Sequence, residues 1–108
     1  MSANDRLGNV VTVSESGDAR VSVVGEVDGS NAADFCLEIL GLARKWDRTL
    51  EVDLAGVTFM DSTGLRALDD AARALSASGF RLVLSNPPRH VRQIIDIIGV
   101  GASLQVRA

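Results

Sequence analysis

The chain has 108 residues, a formal net charge of −3 and 46% hydrophobic residues, values typical of one small globular domain. A single Cys36 and a single His90 exclude a zinc site of four Cys and His ligands, and we expect neither a metal nor another cofactor. The acidic balance and the absence of Tyr argue against nucleic-acid binding, which needs clustered cations or stacking aromatics. No secretory signal or bilayer-spanning run is visible, so we expect a cytoplasmic protein without a membrane partner.

The N-terminal part of the chain has the pattern of a β-hairpin followed by a helix. Runs rich in valine predict strands at 10–13 and 19–25, with a polar turn between them. Ser30 or Asn31 can then cap a helix that carries apolar residues at helical spacing and extends to about Lys45.

The middle of the chain predicts a strand and a second helix. Residues 49–54 alternate between apolar and polar side chains, and the apolar segment 57–60 extends this strand. Leucines and alanines at helical spacing predict a helix over 64–78. Gly79 follows at the position where a left-handed residue typically ends a helix.

The C-terminal part predicts a strand at 81–84, a third helix and a short last strand at 104–106. The third helix starts near Pro88, and Gly99 or Gly101 ends it. Its predicted apolar side is formed by Val91, Ile94, Ile95 and Ile98.

The predicted order of elements is ββ-α-β-α-β-α-β. The helices between successive strands are long enough for crossover connections, so the strands after the hairpin are expected to pair in parallel. We therefore predict an α/β fold with a mixed β-sheet, made of the N-terminal hairpin plus parallel strands and packed with three to four α-helices. A single domain covers 1–108, with 1–8 as a flexible N-terminal segment.

The segment 59–65, Phe-Met-Asp-Ser-Thr-Gly-Leu, leads from a strand into a helix. Asp61, Ser62 or Thr63 must lie at the helix N-terminus, where backbone N–H groups lack intrahelical partners and the helix dipole is positive. A hydroxyl at this point is exposed and well placed to carry a phosphate. The same residue types also form ordinary helix caps that have no chemistry.

Ser62 lacks the surroundings of a hydrolase nucleophile. A nucleophile elbow has glycine two residues before and two residues after the serine, but here Met60 and Gly64 occupy these positions. His90, the one possible histidine base, is placed at the start of a different helix. We therefore expect no catalytic residue and no enzyme activity.

Three segments appear in a distinctive order along the chain. Gly-Glu-Val-Asp at 25–28 precedes the segment 59–65, and Leu-Val-Leu-Ser-Asn-Pro-Pro at 82–88 precedes the last helix. Together they cover nearly the whole chain and resemble the anti-sigma factor antagonist family, the bacterial members of the STAS domain group. The resemblance implies a single-domain switch protein with helices packed on a mixed sheet, in agreement with the fold predicted from the residues.

The resemblance implies a partner-switching role in transcription regulation, of the kind that controls stress responses and sporulation. In that family the unphosphorylated antagonist binds an anti-sigma factor, which is also a serine kinase that binds ATP, and thereby frees the sigma factor. The kinase then phosphorylates the antagonist and the pair separates. A PP2C-type serine phosphatase restores the active form.

By position in the motif, Ser62 is implied to be the phosphoacceptor, with Thr63 as the second choice. Asp61 would orient the loop or help the kinase to recognise it, and Asp28 would line the same partner surface. Arg66 could pair with the phosphate or with the kinase, or be an ordinary exposed helix charge. The implied partner-binding residues are Asp28, Asp61, Ser62, Thr63, Gly64 and Arg66.

A second role stays open within the same group. STAS domains also serve as scaffolds or as subunits of transport complexes that have a constitutive protein partner. That role needs the same fold and a similar surface, so the sequence does not separate it from the antagonist role.

Overall fold

The computed structural model describes residues 11–17, 19–46, 49–100 and 103–107. Within these ranges the chain forms five strands and three helices. In chain order they are β1 (Val11–Gly17), β2 (Arg20–Val27), α1 (Ala32–Trp46), β3 (Leu50–Met60), α2 (Ser62–Ser76), β4 (Leu82–Ser85), α3 (Arg89–Ile98) and β5 (Leu104–Val106).

The strands form a single sheet in the order β1-β2-β3-β4-β5. The β1–β2 pair is antiparallel, and each later pair is parallel. One helix joins each parallel pair, and the strand order always advances in the same direction. Right-handed crossovers therefore place all three helices on one face of the sheet. The predicted α/β fold with a mixed sheet is confirmed, with a helix count of three in the described part of the chain.

The core lies between the sheet and the helices. β2 and β3 bury alternate residues over much of their length, as expected for a sheet with one covered face, whereas all four residues of β4 are buried. The largest fully buried side chains are Phe35 and Ile39 of α1, Leu68 and Leu75 of α2, and Val21, Val23, Val27, Leu50, Leu54, Met60, Leu82 and Leu84 of the sheet.

The opposite face of the sheet carries a polar network centred on Arg20. Its guanidinium lies 3.3 Å from Glu51 Oε2 and 3.4 Å from Asp53 Oδ2. The other carboxylate oxygen of Asp53 accepts hydrogen bonds from the backbone N–H of Ala55, at 2.9 Å, and from the side chain of Asn86, at 3.2 Å. The Ala55 N–H contributes most to lowering the pKa of Asp53, and Asn86 and Arg20 add to it.

This network predicts a loss of stability in acid. Because the pKa of Asp53 is lower in the folded than in the unfolded protein, its contribution is complete above the unfolded pKa and is lost as the pH falls through the folded pKa. We expect the free energy of unfolding to fall more steeply below about pH 4 in the native protein than in Asp53→Asn, by about 1 kcal/mol. Urea unfolding at a series of pH values checks this, and parallel pH profiles would contradict it.

The hairpin differs from its prediction. β1 continues to Gly17, so residues 14–17 of the predicted polar turn lie in the strand, where Glu15 pairs with Val21. β1 lies at the edge of the sheet, and an edge strand tolerates polar side chains on both faces. The alternation of apolar and polar residues that predicts a strand is therefore lost in this segment. Glu15 also accepts hydrogen bonds from Lys45, at 2.9 Å, and from Trp46, at 3.2 Å, and these bonds connect β1 to the end of α1.

α2 and α3 also differ in detail from the helices predicted from the sequence. α2 begins at Ser62 rather than at 64, and Gly79, with φ of +83°, follows it as predicted. In α3, Ile98 was expected on the apolar side but is 51% exposed, while Val91 and Ile95 are buried. Gly99 ends this helix. The predicted flexible segment 1–8 and the alternative stop at Gly101 lie outside the described residues.

None of the helices in the described ranges combines the length and the hydropathy that a membrane crossing requires.

Candidate functional site

The two sequence motifs meet at one edge of the sheet. β2 and β3 are neighbouring parallel strands, and their last residues, Val27 and Met60, are direct partners. Asp28 and Asp61 follow these residues at the same edge. The backbone N–H of Asp61 donates to the carbonyl oxygen of Val27 at 3.3 Å, which extends the pairing past the end of both strands. The fold thus brings Asp28 close to the Asp-Ser-Thr-Gly-Leu segment.

Asp61 is the N-cap of α2. Its backbone is extended, and its Oδ1 accepts from the N–H groups of Thr63, at 3.0 Å, and Gly64, at 3.1 Å. Its carbonyl oxygen accepts from the N–H of Leu65 at 3.1 Å. This cap fixes the start of the helix and places Ser62 at the first helical position, with its side chain exposed.

Removing the cap is expected to destabilise the protein. Asp61→Ala leaves two backbone donors without a side-chain acceptor and should lower the free energy of unfolding by about 1 kcal/mol. Asp61→Asn is the matched control, because asparagine caps a helix as well as aspartate does but carries no charge. Thermal and urea unfolding of the three proteins measure the effect. Equal losses in both variants would mean that the charge, rather than the cap, stabilises the native protein.

Gly64 is buried beneath the first turn of α2. A Cβ atom at this position would lie 2.8 Å from Met60 Cγ and 2.9 Å from Val27 Cγ1, distances that real contacts do not reach. The absence of a side chain therefore lets the helix start directly against the ends of β2 and β3. Sequence reasoning grouped Gly64 with the partner-binding residues, but the structure gives it a packing role.

Asp28 organises the loop between β2 and α1. Its Oδ1 accepts from the N–H and the hydroxyl of Ser30, at 2.9 and 2.6 Å. Its own N–H donates to Asn31 Oδ1 at 3.0 Å, and its carbonyl oxygen accepts from the N–H of Ala32 at 2.9 Å. The loop is therefore held by several short-range hydrogen bonds, and it stands beside Asp61 as a preformed surface.

Ser62 and Thr63 line two different shallow grooves. The groove between α1 and α2 is lined by Ala32, Ala33, Cys36, Leu37, Thr63, Arg66, Ala67 and Asp70. The groove on the α3 side of α2 is lined by Ser62, Leu65, Arg66, Asp69, Ile98 and Gly99. Arg66 belongs to both walls, so it stands on the ridge that separates the grooves.

Exposed apolar side chains border this ridge on both sides. Leu37 of α1 is 67% exposed, and Ile97 and Ile98 at the end of α3 are 83% and 51% exposed. Sequence reasoning placed Ile98 on the apolar side of the third helix and gave no role to Leu37 or Ile97, because helical spacing does not reveal that exposed apolar residues of different helices lie beside one surface. Exposed apolar groups around polar ones are typical of a surface that binds another protein.

Ser62 is not set up as an activated nucleophile. Among the described residues its hydroxyl has no hydrogen-bond partner that could act as a base. His90 lies in the first turn of α3, half-buried rather than solvated as a first-turn residue would ordinarily be, and its Nε2 is buried without a hydrogen-bond partner. No group of three or more His, Cys, Asp or Glu side chains in the described ranges could hold a metal ion.

Comparison with known proteins places the chain among the STAS domains. The family model described as "Mlab, STAS domain" matches residues 11–106. The anti-sigma-B factor antagonist of Bacillus subtilis (strain 168) is 27% identical over 100 residues, which are 93% of this chain and 91% of that protein. An anti-sigma-B factor antagonist of Staphylococcus epidermidis is 25% identical over 85% of both chains.

Solved structures agree with this result. The anti-sigma factor antagonist of Mycobacterium paratuberculosis matches with a TM-score of 0.65 and 28% identity, over 98% of this chain and 89% of that one. The antagonist SpoIIAA matches in its unphosphorylated form with a TM-score of 0.69 and 22% identity, over 92% and 89% of the two chains. Its phosphorylated form, from Bacillus, gives a TM-score of 0.62 and 20% identity over 92% of each chain. The family model covers the mixed sheet, the helices and the capped Asp-Ser-Thr-Gly-Leu segment of the described residues, and the chain belongs to the STAS domain family.

Proposed function

We propose that this protein is an anti-sigma factor antagonist. The unphosphorylated form binds an anti-sigma factor that is a serine kinase, and this binding frees the sigma factor. The kinase uses its bound ATP to phosphorylate Ser62, and the complex separates. A PP2C-type serine phosphatase removes the phosphate and restores the active form. The names of the relatives from Bacillus and Staphylococcus support this role, as does the anti-sigma factor antagonist of Mycobacterium.

The observation that carries the proposal is the position of Ser62. Its hydroxyl is exposed at the first position of a helix that Asp61 caps, on a ridge bordered by exposed apolar side chains. A kinase can reach such a hydroxyl, and a bound partner would cover it. One residue can therefore be both the modification site and part of the binding surface.

The chemical step needs only the hydroxyl from this chain. The Ser62 oxygen forms a bond to the γ-phosphorus of ATP as the bond from that phosphorus to the bridging oxygen of ADP breaks. ADP leaves, and the hydroxyl proton passes to a base of the kinase. In the reverse branch of the cycle, the phosphatase uses water to release inorganic phosphate and regenerate the serine.

The phosphate acts by its charge. Phosphorylation adds about −1.5 to −2 charge and three acceptor oxygens to a surface that is dry in the complex. Burying this charge against the exposed apolar groups costs several kcal/mol unless the partner supplies a dedicated cation. Separation then requires no refolding of the antagonist.

Thr63 is the alternative acceptor, because it is also exposed and next in sequence. Its side chain lines the groove toward α1, whereas Ser62 lines the groove toward α3. A kinase that approaches from one side would therefore meet one hydroxyl and not the other. We assign the phosphate to Ser62 on the basis of its position in the motif.

The test of the proposed function is displacement of a sigma factor. The candidate anti-sigma factor is bound to its sigma factor, and the unphosphorylated protein is added while the free sigma factor is followed by size-exclusion chromatography. We expect the sigma factor to be released, and release to stop once ATP has allowed phosphorylation. Stable binding to a partner that neither releases a sigma factor nor responds to ATP would instead favour the scaffold or transport-complex role.

A further inference from the structure

Most of the amide groups at the start of α2 already donate a hydrogen bond. A phosphate at a helix N-terminus is ordinarily held by backbone N–H groups that lack intrahelical partners. Here the N–H groups of Thr63 and Gly64 donate to the Asp61 carboxylate, and that of Leu65 donates to the Asp61 carbonyl oxygen. The N–H of Asp61 itself donates to Val27. The N–H of Ser62 itself has no acceptor in the described part of the chain, so a phosphate on Ser62 finds one backbone donor at the helix start rather than the usual set.

The neighbouring charges are also unfavourable to a phosphate. The carboxylate of Asp61 immediately precedes Ser62 and offsets the positive end of the helix dipole. In the groove that Ser62 lines, α2 presents Asp69, while Ile98 and Gly99 on the α3 side carry no charge. A phosphate dianion at this point needs a cation from a side chain.

Arg66 is the cation within reach. It lies four residues after Ser62 on the same helix, one turn away, and both residues line the same groove. Its side chain is exposed, and in the part of the chain that the structure describes no carboxylate forms an ion pair with it. By contrast, Arg73 of the same helix is engaged by Asp69, at 3.8 Å, and by Asp70. Arg66 is therefore available to bind a new anion.

We infer that Arg66 binds the phosphate of phosphorylated Ser62 within the same molecule. This inference rests on the proposed phosphorylation of Ser62 and adds the side chain that neutralises the phosphate. The guanidinium offers paired N–H donors that match phosphate oxygens, and the i, i+4 spacing on a helix favours the contact.

Phosphorylation then changes the partner surface in two ways. It adds negative charge at Ser62, and it takes up the cation on the ridge between the two grooves, which faces the partner in the unphosphorylated form. An acidic group of the partner that contacts Arg66 in the complex would lose this contact as the phosphate is added.

The test is the second pKa of the phosphate, which an adjacent cation lowers because it favours the dianion. Phosphoserine is introduced at position 62 during translation, so neither the kinase nor the anti-sigma factor is needed. The phosphorus-31 chemical shift is then followed against pH at low salt. We expect the phosphate pKa to be higher in Arg66→Gln than in the native sequence by about 0.4 pH unit, and the difference to shrink in high salt.

Two further variants make the result decisive. Arg66→Lys keeps the positive charge and should restore most of the shift, whereas Arg73→Gln, on the same helix but paired elsewhere, should leave the phosphate pKa unchanged. Identical titrations of the native protein and Arg66→Gln would overturn the inference, as would an equal shift in Arg73→Gln. Because no partner is present, such a failure is distinct from a failure of the proposed function, which would appear as undiminished binding of the phosphorylated protein to the anti-sigma factor.

Discussion

Phosphorylation of Ser62 is expected to weaken the complex with the anti-sigma factor by at least about 100-fold, a change of about 3 kcal/mol. Ser62 is exposed and lines the groove beside the Arg66 ridge, which apolar side chains border, so a partner that covers this surface must bury the phosphate. The Asp61 carboxylate beside it increases the local negative charge, and the N–H groups of Thr63 and Gly64, which could have offset it, already donate to that carboxylate. Isothermal titration of the unphosphorylated and fully phosphorylated proteins with the anti-sigma factor measures the difference.

Two alanine variants distinguish the effect of the phosphate on binding from the effect of the side chain that carries it. Ser62→Ala removes one small exposed group and should bind nearly as tightly as the native protein, with an affinity that ATP does not alter. Thr63→Ala should behave as the native protein does, including the loss of affinity after ATP is added. Equal affinities of the phosphorylated and unphosphorylated proteins would contradict the switch and support a constitutive interaction.

Gly64→Ala is expected to lower the free energy of unfolding by about 2 kcal/mol, although alanine favours helix formation over glycine. The added Cβ would lie 2.8 Å from Met60 Cγ and 2.9 Å from Val27 Cγ1, inside a buried contact between the helix and two strand ends. The helix must move away or the two side chains must leave their rotamers. Both responses also displace Ser62, so the variant should be phosphorylated more slowly.

Gly41→Ala is the matched control for this substitution. Gly41 lies within α1 and is exposed, and no atom lies within 4 Å of the position that an added Cβ would take, so only the helix propensity changes. This variant should be stabilised by about 0.5–1 kcal/mol. Urea unfolding of both variants gives the comparison, and a stabilised Gly64→Ala would show that the start of α2 is not packed as tightly as the distances indicate.

The meeting of the two motifs could be predicted from the sequence. Residues 49–54 alternate between apolar and polar side chains, and apolar residues recur at helical spacing after Gly64, so the sequence specifies a strand followed by a helix. A helix that crosses over between two strands implies that these strands are parallel. Parallel neighbours end at the same edge of the sheet, so Asp28 and Asp61 had to lie close together. This part of the site depends only on patterns that repeat over many residues.

Other features depend on individual side chains and could not be predicted. The sequence indicates that Asp61, Ser62 or Thr63 caps α2, but only the structure shows that Asp61 does so and thereby occupies the amides of Thr63 and Gly64. Likewise, helical spacing leaves Ile97 off the apolar side of α3 but places Ile98 on it, and only the structure shows that Ile98 is also exposed at the end of the helix.

The central claim is that Ser62 receives the phosphate. The most direct measurement is the intact mass of the protein after incubation with the candidate kinase and ATP, compared among the native sequence, Ser62→Ala and Thr63→Ala. We predict one added phosphoryl group in the native protein and in Thr63→Ala, and none in Ser62→Ala. A phosphoryl group that persists in Ser62→Ala and disappears in Thr63→Ala would contradict the assignment, and no phosphoryl group in any of the three proteins would contradict the switch itself.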